Sequence, residues 1–405
     1  MSTVSKIAEI LNIQAFRILS IEYLAEEVII VARLKRQFIK CPRCGRGSEK
    51  VHQHNHPRKV LCDIWGRRKV YLVGDKKRWR CRRCKKPFAE VWPGLRKSSR
   101  KTEQAKVQIL NALKGQSFRS LEETSGIRVH ESRYLLKNFQ LPLSWEEELH
   151  EDGFKLGIDE HSFSGREMVI TITNLSAHKP KTILPDDRIL TLTSFLKNIP
   201  EEVRLKISEV CVDMKAGFIK ATEECLPHAS IVIDHFHVIQ DANRRLDEAR
   251  RIEQEATRKS IRKTDFLLGA ERLTPWHKQN LQRYFERYPL LKEWYWAKEQ
   301  LRGVYASKNK EEAFGKLKHL MVSLLEHDDA AMNDWGRTLK RLQKYILNYF
   351  NSRTTNAYTE GVHTKFKLTK RMSYGFRNVG IYIKKMLLAF MPIAVLNAYF
   401  FHSFC

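Results

Sequence analysis

Two C-x-x-C pairs, "CPRCG" at 41–45 and "CRRCKK" at 81–86, constrain the fold of this chain more than any other feature. Each pair lets two thiolates reach one ion from a tight turn, and two pairs complete a tetrahedral Zn²⁺ site. Cys41, Cys44, Cys81 and Cys84 are therefore expected to meet across the 36 residues that separate the pairs. Four free thiols in a core are the alternative, and the Arg, Lys and Pro around them argue against it. Between the pairs, "KVLCDIWGRRKVYLVGDKKRWR" alternates apolar and basic residues with Gly66 and Gly74 at expected turns. That pattern predicts a hairpin, as in a zinc ribbon. "HQHNH" offers His52, His54 and His56 as competing ligands. Two full cysteine pairs need no fifth ligand, so this run is expected as an exposed loop. Cys62, Cys211, Cys225 and Cys405 stand alone and are expected to be packing residues.

Charge names the partner class. The chain carries 73 Lys and Arg against 46 Asp and Glu, a formal charge of +27. It is unevenly spread: residues 51–100 hold sixteen basic residues against three acidic ones. A single basic run is ordinarily a solvated face, but this excess beside a metal motif points to nucleic acid.

Residues 101–139 follow the expected ribbon. Ala105, Val107, Ile109, Leu110 and Leu113 predict a helix stopped by Gly115. "SFRSLEETSG" predicts a second, short helix ending at Gly126. Val129 to Phe139 predicts a third, with Val129, Leu135 and Leu136 inward and His130, Arg133 and Lys137 outward. Short helices around a Gly turn are the helix-turn-helix pattern, whose last helix enters the major groove of double-stranded DNA. An ordinary three-helix bundle fits the same spacing; the basic neighbour favours DNA.

From residue 154 the texture changes. "FKLGIDEHSF" is expected as a strand ending in Asp159, "EMVITITNL" as a second and "RILTLTSF" as a third. "PEEVRLKI" predicts a helix, "SEVCVDM" a strand ending in Asp213, and "AGFIKATEECLPH" a helix. "SIVIDHFHV" is expected as a strand with Asp234 at its end and His237 three residues on. This order suits a mixed sheet covered by helices, as in an RNase H-like domain. Either a helix cap or a metal ligand explains one strand-ending carboxylate. Three in succession are harder to explain by capping.

About 110 residues of charged helix follow Asp234, with Trp276, Trp294, Trp296 and Trp335 suggesting a core of their own. Then comes "NSRTTNAYTEGVHTKFKLTKRMSYGFRN", residues 351–378. Glu360 is the only acid after Asp334. Lys367 lies two helical turns later on the same face. A lone carboxylate among Lys365, Lys367, Lys370, Arg371 and Arg377 fits a surface ion pair. It also fits a DNA-cleaving site, with an acid for metal and cations for phosphate.

Together the two C-x-x-C pairs, the helix-turn-helix pattern, "GIDE", "VCVDM", "IVIDHFHV", the helical insertion and "NAYTEGVHTKFKLTKRMSYGFRN" resemble the ISL-three family of insertion-sequence transposases. The resemblance spans roughly residues 38–380. It implies an RNase H-like DDE catalytic domain with an all-helical insertion, and a triad of Asp159, Asp213 and Glu360 holding Mg²⁺ or Mn²⁺. Asp234 and His237 match the accessory D-x-x-H element, and Lys367 the basic residue after the glutamate. Asp234 also ends a strand and competes as the second acid; "DHFHV" fits the accessory element better. Lys365 and Arg371 join His130, Arg133 and Lys137 as expected DNA contacts. Implied partners are transposon ends and target DNA, with a homo-oligomer assembled on DNA.

The expected architecture is a multidomain α+β and α/β chain. It comprises an N-terminal segment (1–37), a zinc ribbon (38–95), a helix-turn-helix (100–145), a catalytic mixed sheet with helices on both faces (150–245 and 350–380), a helical insertion (246–349) and a C-terminal helix (381–405). "MLLAFMPIAVLNAYFF" is shorter than the ~20 apolar residues of a membrane helix and reads as a buried helix broken near Pro392. The N-terminus lacks a signal-peptide layout, so a cytoplasmic, nucleoid-associated protein is expected. Two rival classes share parts of these features. A DNA-binding regulator needs no spaced acids, and an RNase H-like nuclease cuts without joining.

Overall fold

The computed structural model describes residues 3–35, 39–48, 50–95 and 99–401. It divides into two compact units, one from residues up to 142 together with those from 365, the other from residues 143–364.

The first unit opens with α1 (Thr3–Ile10), β1 (Phe16–Tyr23) and β2 (Glu27–Leu34). Short strands β3 (Ile39–Lys40) and β4 (Gly47–Ser48) flank the first cysteine pair. Strands β5 (Val51–Trp65) and β6 (Arg68–Arg80) form a long hairpin, and β7 (Pro87–Ala89) returns onto β6 after the second pair. The sheet order is β1-β2-β6-β5, so β1 and β2 share a sheet with the hairpin instead of standing apart from it. The hairpin turns at Gly66, whose φ of +60° suits glycine. Gly74 is not at a turn. It sits inside β6 opposite Arg58, where a side chain would collide with the Ala32 carbonyl of β2. The "HQHNH" run likewise lies on β5, paired with β6 at Gln53–Arg78 and His54–Lys77.

Three helices follow: α2 (Glu103–Leu113), α3 (Phe118–Ser125) and α4 (Val129–Asn138). Thr102 caps α2 and Ser117 caps α3, each accepting from a backbone N–H three residues on. Gly126 closes α3 at φ +67°.

The second unit holds β8 (Phe154–Ser164), β9 (Glu167–Asn174), β10 (Lys179–Leu184), α5 (Ile189–Lys197), α6 (Glu201–Arg204), β11 (Ile207–Val212), α7 (Ala216–Cys225) and β12 (Ser230–Ile233). The sheet order is β10-β9-β8-β11-β12, with β8–β10 antiparallel and β11 and β12 parallel to β8. One expectation fails here: "RILTLTSF" is the helix α5, and the third strand is "KPKTIL". The local I-L-T-L-T alternation imitates a strand. Burial of Leu192 and Leu196, four apart, is what the helix satisfies. The true strand carries Pro180, tolerated because β10 is an edge and its register slips between Pro180 and Thr182.

Six helices follow: α8 (His235–Thr257), α9 (Lys263–Leu267), α10 (Pro275–Arg287), α11 (Pro289–Tyr305), α12 (Lys310–Leu325) and α13 (Ala330–Ser352). They do not form a core of their own. One continuous apolar cluster runs from Phe154 and Ile158 in the sheet through Leu246 to Trp294, Trp335 and Leu347. Trp294 and Trp335 stack at 5.6 Å in its interior, while Trp276 and Trp296 are exposed. Asn348 of α13 donates to the Ile231 carbonyl at 2.8 Å, which occupies part of the free edge of β12.

Helix α14 (Ala357–Met372) starts in the second unit. The last described elements are α15 (Val379–Leu388) and α16 (Ile393–Phe401), bent by 114° around the segment containing Pro392. Their Ile381, Leu388, Leu396 and Phe400 share one core with Leu110, Leu113, Leu121, Leu136 and Phe139 of α2–α4 and the loop after α4. No single helix among the described residues is long and apolar enough to cross a membrane.

Candidate active site

Three carboxylates collect where β8, β11 and β12 part. On β8 the parallel ladder with β11 stops at Gly157–Cys211, while the antiparallel ladder with β9 continues past Asp159–Thr171. Asp159 therefore lies in mid-strand rather than at a strand end, yet at the point where its β11 neighbour leaves. Asp213 follows β11 directly, and Asp234 follows β12. All three are buried.

Their partners differ. Asp213 accepts from the Lys215 backbone N–H at 2.8 Å. Burial raises its carboxyl to about 6, against that N–H, with Glu160 and Asp159 adding to the rise and His237 opposing it. Lys215 pairs with Glu160 and, at 3.3 Å, with Asp187. Asp234 stands at the N-cap position of α8 but makes no side-chain cap bond. Both its oxygens are buried without a hydrogen-bond partner. A capping role therefore does not account for it.

The D-x-x-H spacing works because α8 begins at His235, so "HFHV" is helix rather than strand. His237 then lies one turn beyond Asp234 on the same face. Its Nε2 is 3.5 Å from Asp159 Oδ1. Burial pulls this imidazole down, but Asp159 beside it and the charges of Asp234 and Asp213 outweigh that, raising it from 6.5 to about 9.

Glu360 arrives on the first turn of α14, docked onto the sheet by spacing alone. Gly157, Asp159 and His161 share one face of β8, and Thr171 and Thr173 lie opposite on β9. Thr359 meets Thr173 at 2.7 Å, and four residues on His363 Nε2 meets Thr171 at 2.9 Å. Four helical residues and two strand residues each rise about 6–7 Å, so the two elements stay in register. Asn356, just before α14, donates to the carbonyls of Ile158 at 3.2 Å and Cys211 at 3.4 Å, in the gap between the strands. Burial raises the Glu360 carboxyl, with Asp234 and Asp159 contributing. Ligand atoms of Asp234, His237 and Glu360 all lie within 4.8 Å of one another.

Sequence reasoning passed over the residues that hold Asp159. His363 Nδ1 is 3.5 Å from Asp159 Oδ2. Thr171 bridges His363 to His161, whose Nδ1 is at 3.0 Å, and the two imidazoles sit 4.5 Å apart. A signal existed: Glu360–His363 repeats the carboxylate-x-x-His spacing of Asp234–His237.

In the first unit, the sulfurs of Cys41, Cys44, Cys81 and Cys84 lie within 4.8 Å of one another, with Cys44 and Cys81 at 3.6 Å. The two knuckles match. Gly45 and Lys85 each donate back to the first cysteine carbonyl at 2.9 Å, with φ of +72° and +58°. The Cys84 backbone N–H lowers the Cys81 thiol to about 7, and Cys44 beside it raises Cys84 to about 12. His52 and His54 are exposed outside the cluster. Cys62, Cys211 and Cys225 are buried, while Cys405 lies outside the described residues.

His130, Arg133 and Lys137 line the exposed face of α4, Arg133 lying over the Phe118 ring at 5.5 Å. Tyr134, exposed among them, was missed. Lys367 and Arg371 are exposed on α14. Lys365 is engaged within its own unit, donating to the Ala389 carbonyl at 2.9 Å over the Phe390 ring.

Known proteins supply the identity. A family model described as a transposase, of the ISL-three DDE type, matches residues 156–386. The transposase for insertion sequence element IS1001 of Bordetella parapertussis is 23% identical over 361 residues, 86% of this chain and 88% of that protein. Matched by the family model over more than half its length, the chain belongs to the ISL-three family of DNA transposases.

Proposed function

We propose that the second unit is an RNase H-like DDE catalytic domain that cleaves the ends of an insertion sequence and joins them to target DNA. The observation that carries this is the convergence of buried Asp159, Asp213 and Asp234 and half-buried Glu360 beside one split in the sheet, several of their oxygens without partners. Uncompensated buried carboxylates are costly unless a cation is shared among them. The donor set is mostly hard oxygen and fits Mg²⁺ or Mn²⁺. Asp159, Asp213 and Glu360 are the ligands assigned to it. A divalent ion held by these residues would supply charge stabilisation for the phosphodiester and lower the pKa of the attacking oxygen.

The chain's own groups do the rest. Thr171, His363 and His161 fix the orientation of Asp159, and Asn356 and Thr359 fix that of Glu360. Lys367 and Arg371 attract the phosphate backbone. The reaction is two displacements at phosphorus: water attacks first and frees a 3′-hydroxyl, which then attacks the target strand. Each displacement forms one P–O bond and breaks one, so no outside energy source is required.

DNA recognition belongs to the first unit in this reading. Helices α3 and α4 act as a helix-turn-helix presenting His130, Arg133 and Lys137, beside a ribbon whose four cysteines hold Zn²⁺. Joining two ends in one event calls for more than one copy on DNA, which sizing of the protein–DNA complex tests.

The deciding experiment is single-turnover nicking and joining of a labelled terminal repeat in Mg²⁺ and in Mn²⁺. Asp213→Asn and Glu360→Gln are expected to lower both steps by roughly a thousandfold or more, with end binding unchanged. If Asp213→Asn still cuts, Asp213 is only the turn former that accepts from Lys215. Cutting without joining makes the protein a nuclease, and neither step makes it a regulator.

A further inference from the structure

We infer that Asp234 and His237 are direct metal ligands which, with Glu360, form a second ion position beside Asp159 and Asp213, one with a nitrogen donor that suits Mn²⁺. This rests on the metal-dependent reading of the site and goes beyond its triad. Asp234 is 1% exposed, and neither carboxylate oxygen has a hydrogen-bond partner. The same holds for His237 Nε2 and Glu360 Oε1, and one ligand atom from each of the three residues lies within 4.8 Å of the other two. The basic side chains beside the two aspartates here are histidines at long range: His235 Nδ1 at 3.5 Å from Asp234, and His237 Nε2 and His363 Nδ1 each at 3.5 Å from Asp159. None of these distances is a good charge-assisted hydrogen bond. A cap would explain Asp234 only if it accepted from the first turn of α8, and it does not.

Three separate elements deliver the trio: the end of β12, the first turn of α8 and the first turn of α14. Two carboxylates and one imidazole form a mixed oxygen–nitrogen set. Imidazole suits transition ions better than Mg²⁺, and carboxylates suit Mn²⁺ and Mg²⁺ alike. Of the ions that support phosphoryl transfer, Mn²⁺ satisfies both donors. His237 Nε2 also faces Asp159 at 3.5 Å, so this position adjoins Asp159.

The test uses the full-length, zinc-loaded protein without DNA and Mn²⁺ alone as the probe. Paramagnetic resonance titration gives affinity and stoichiometry, and electron spin-echo modulation detects nitrogen bonded to the ion. Wild type is expected to bind Mn²⁺ with the coupling of one imidazole nitrogen. His237→Gln is expected to abolish that coupling and weaken binding by about tenfold or more. Asp234→Asn is expected to weaken binding similarly while keeping circular dichroism and melting temperature near wild type. Bound Mn²⁺ without nitrogen coupling, coupling that survives His237→Gln, or unchanged affinity in Asp234→Asn each overturns the inference. Should His237→Gln fail to fold, Asp234→Asn and the wild-type coupling still decide. Failure is separable from failure of the catalytic reading. A protein that cuts and joins ends in Mg²⁺ yet shows no nitrogen coupling keeps its function and loses this ion position. Nitrogen-coupled Mn²⁺ in a protein that never cuts DNA does the reverse.

Discussion

Gly157, two residues before Asp159 in "GIDE", has no side chain because α14 needs that space. A Cβ there would lie 2.8 Å from both Asn356 Oδ1 and Thr359 Oγ1, and closer still to Thr173 Oγ1. Thr173 Oγ1 and Thr359 Oγ1 bond each other, and Asn356 is held through its Nδ2, so these side chains cannot simply swing away. Gly157→Ala is expected to destabilise the second unit by about 1–3 kcal/mol through overpacking. It is also expected to displace Glu360, and a displacement near 1 Å lowers cleavage by about 100-fold. End binding should be unaffected. Melting temperature, nicking rate and binding on one preparation check this. Full cleavage in Gly157→Ala means that α14 docks without this close approach.

At the level of elements, two devices hold the first unit together. One is Lys385 of α15, which is 1% exposed and directs its ammonium at the carbonyls of Leu113, the last residue of α2, and Gln116 just beyond. It serves as a C-terminal cap supplied by another helix. Burial lowers its pKa from 10.5 to about 8. The native state then holds fewer protons than the unfolded chain between those two values, so stability rises with pH across that window and is lowest below 8. The contribution is on the order of 3 kcal/mol. Lys385→Met is expected to flatten the rise of melting temperature between pH 8 and 10. It also leaves two carbonyls without a donor, a cost of about 1–3 kcal/mol at pH 7. An unchanged pH slope in Lys385→Met rules out the assignment. The other device is the cysteine cluster, whose knuckles tie β3–β4 to β6–β7. Elemental analysis is expected to find one zinc per chain, and Cys81→Ser to lose the metal and weaken end binding. Soluble, DNA-binding protein free of zinc contradicts that reading.

For the whole molecule, chain order and folding units disagree. Leu110, Leu113, Leu136 and Phe139 share a core with Ile381, Leu388, Leu396 and Phe400 from the far end of the chain. Phe139 stacks on Phe400 at 5.9 Å and meets Tyr399 edge-on at 4.7 Å. A fragment of residues 1–145 lacks these partners and exposes a contiguous apolar face. It is expected to aggregate or bind hydrophobic dye. The same fragment linked to residues 365–405 is expected to be monomeric and to bind end DNA with steep salt dependence, as counterions are released. A well-folded, monomeric 1–145 fragment shows that the C-terminal helices are dispensable to that core.

The sequence determined what depends on local pattern and short spacing. The C-x-x-C pairs are legible because each knuckle is a local turn, although only the β5–β6 hairpin brings the pairs together. The start of α2 and both ends of α3 follow from Thr102, Ser117 and Gly126, whose capping acts over three or four residues. Asp213, Asp234 and Glu360 stand out as acids at strand and helix ends, and Asp159 as an acid within a strand. What the tertiary structure decided involves contacts between distant segments. Strand β10 and helix α5 were exchanged because a period of two in "ILTLT" competes with burial that only the assembled sheet defines. Gly157 reads as an ordinary strand residue until α14, some two hundred residues on, arrives over it. Which acids come close together depends on contacts of the same kind. Spacing put His237 beside Asp234, but the register of α14 against β9 brought Glu360 to that pair and left Asp213 facing Lys215 and Glu160.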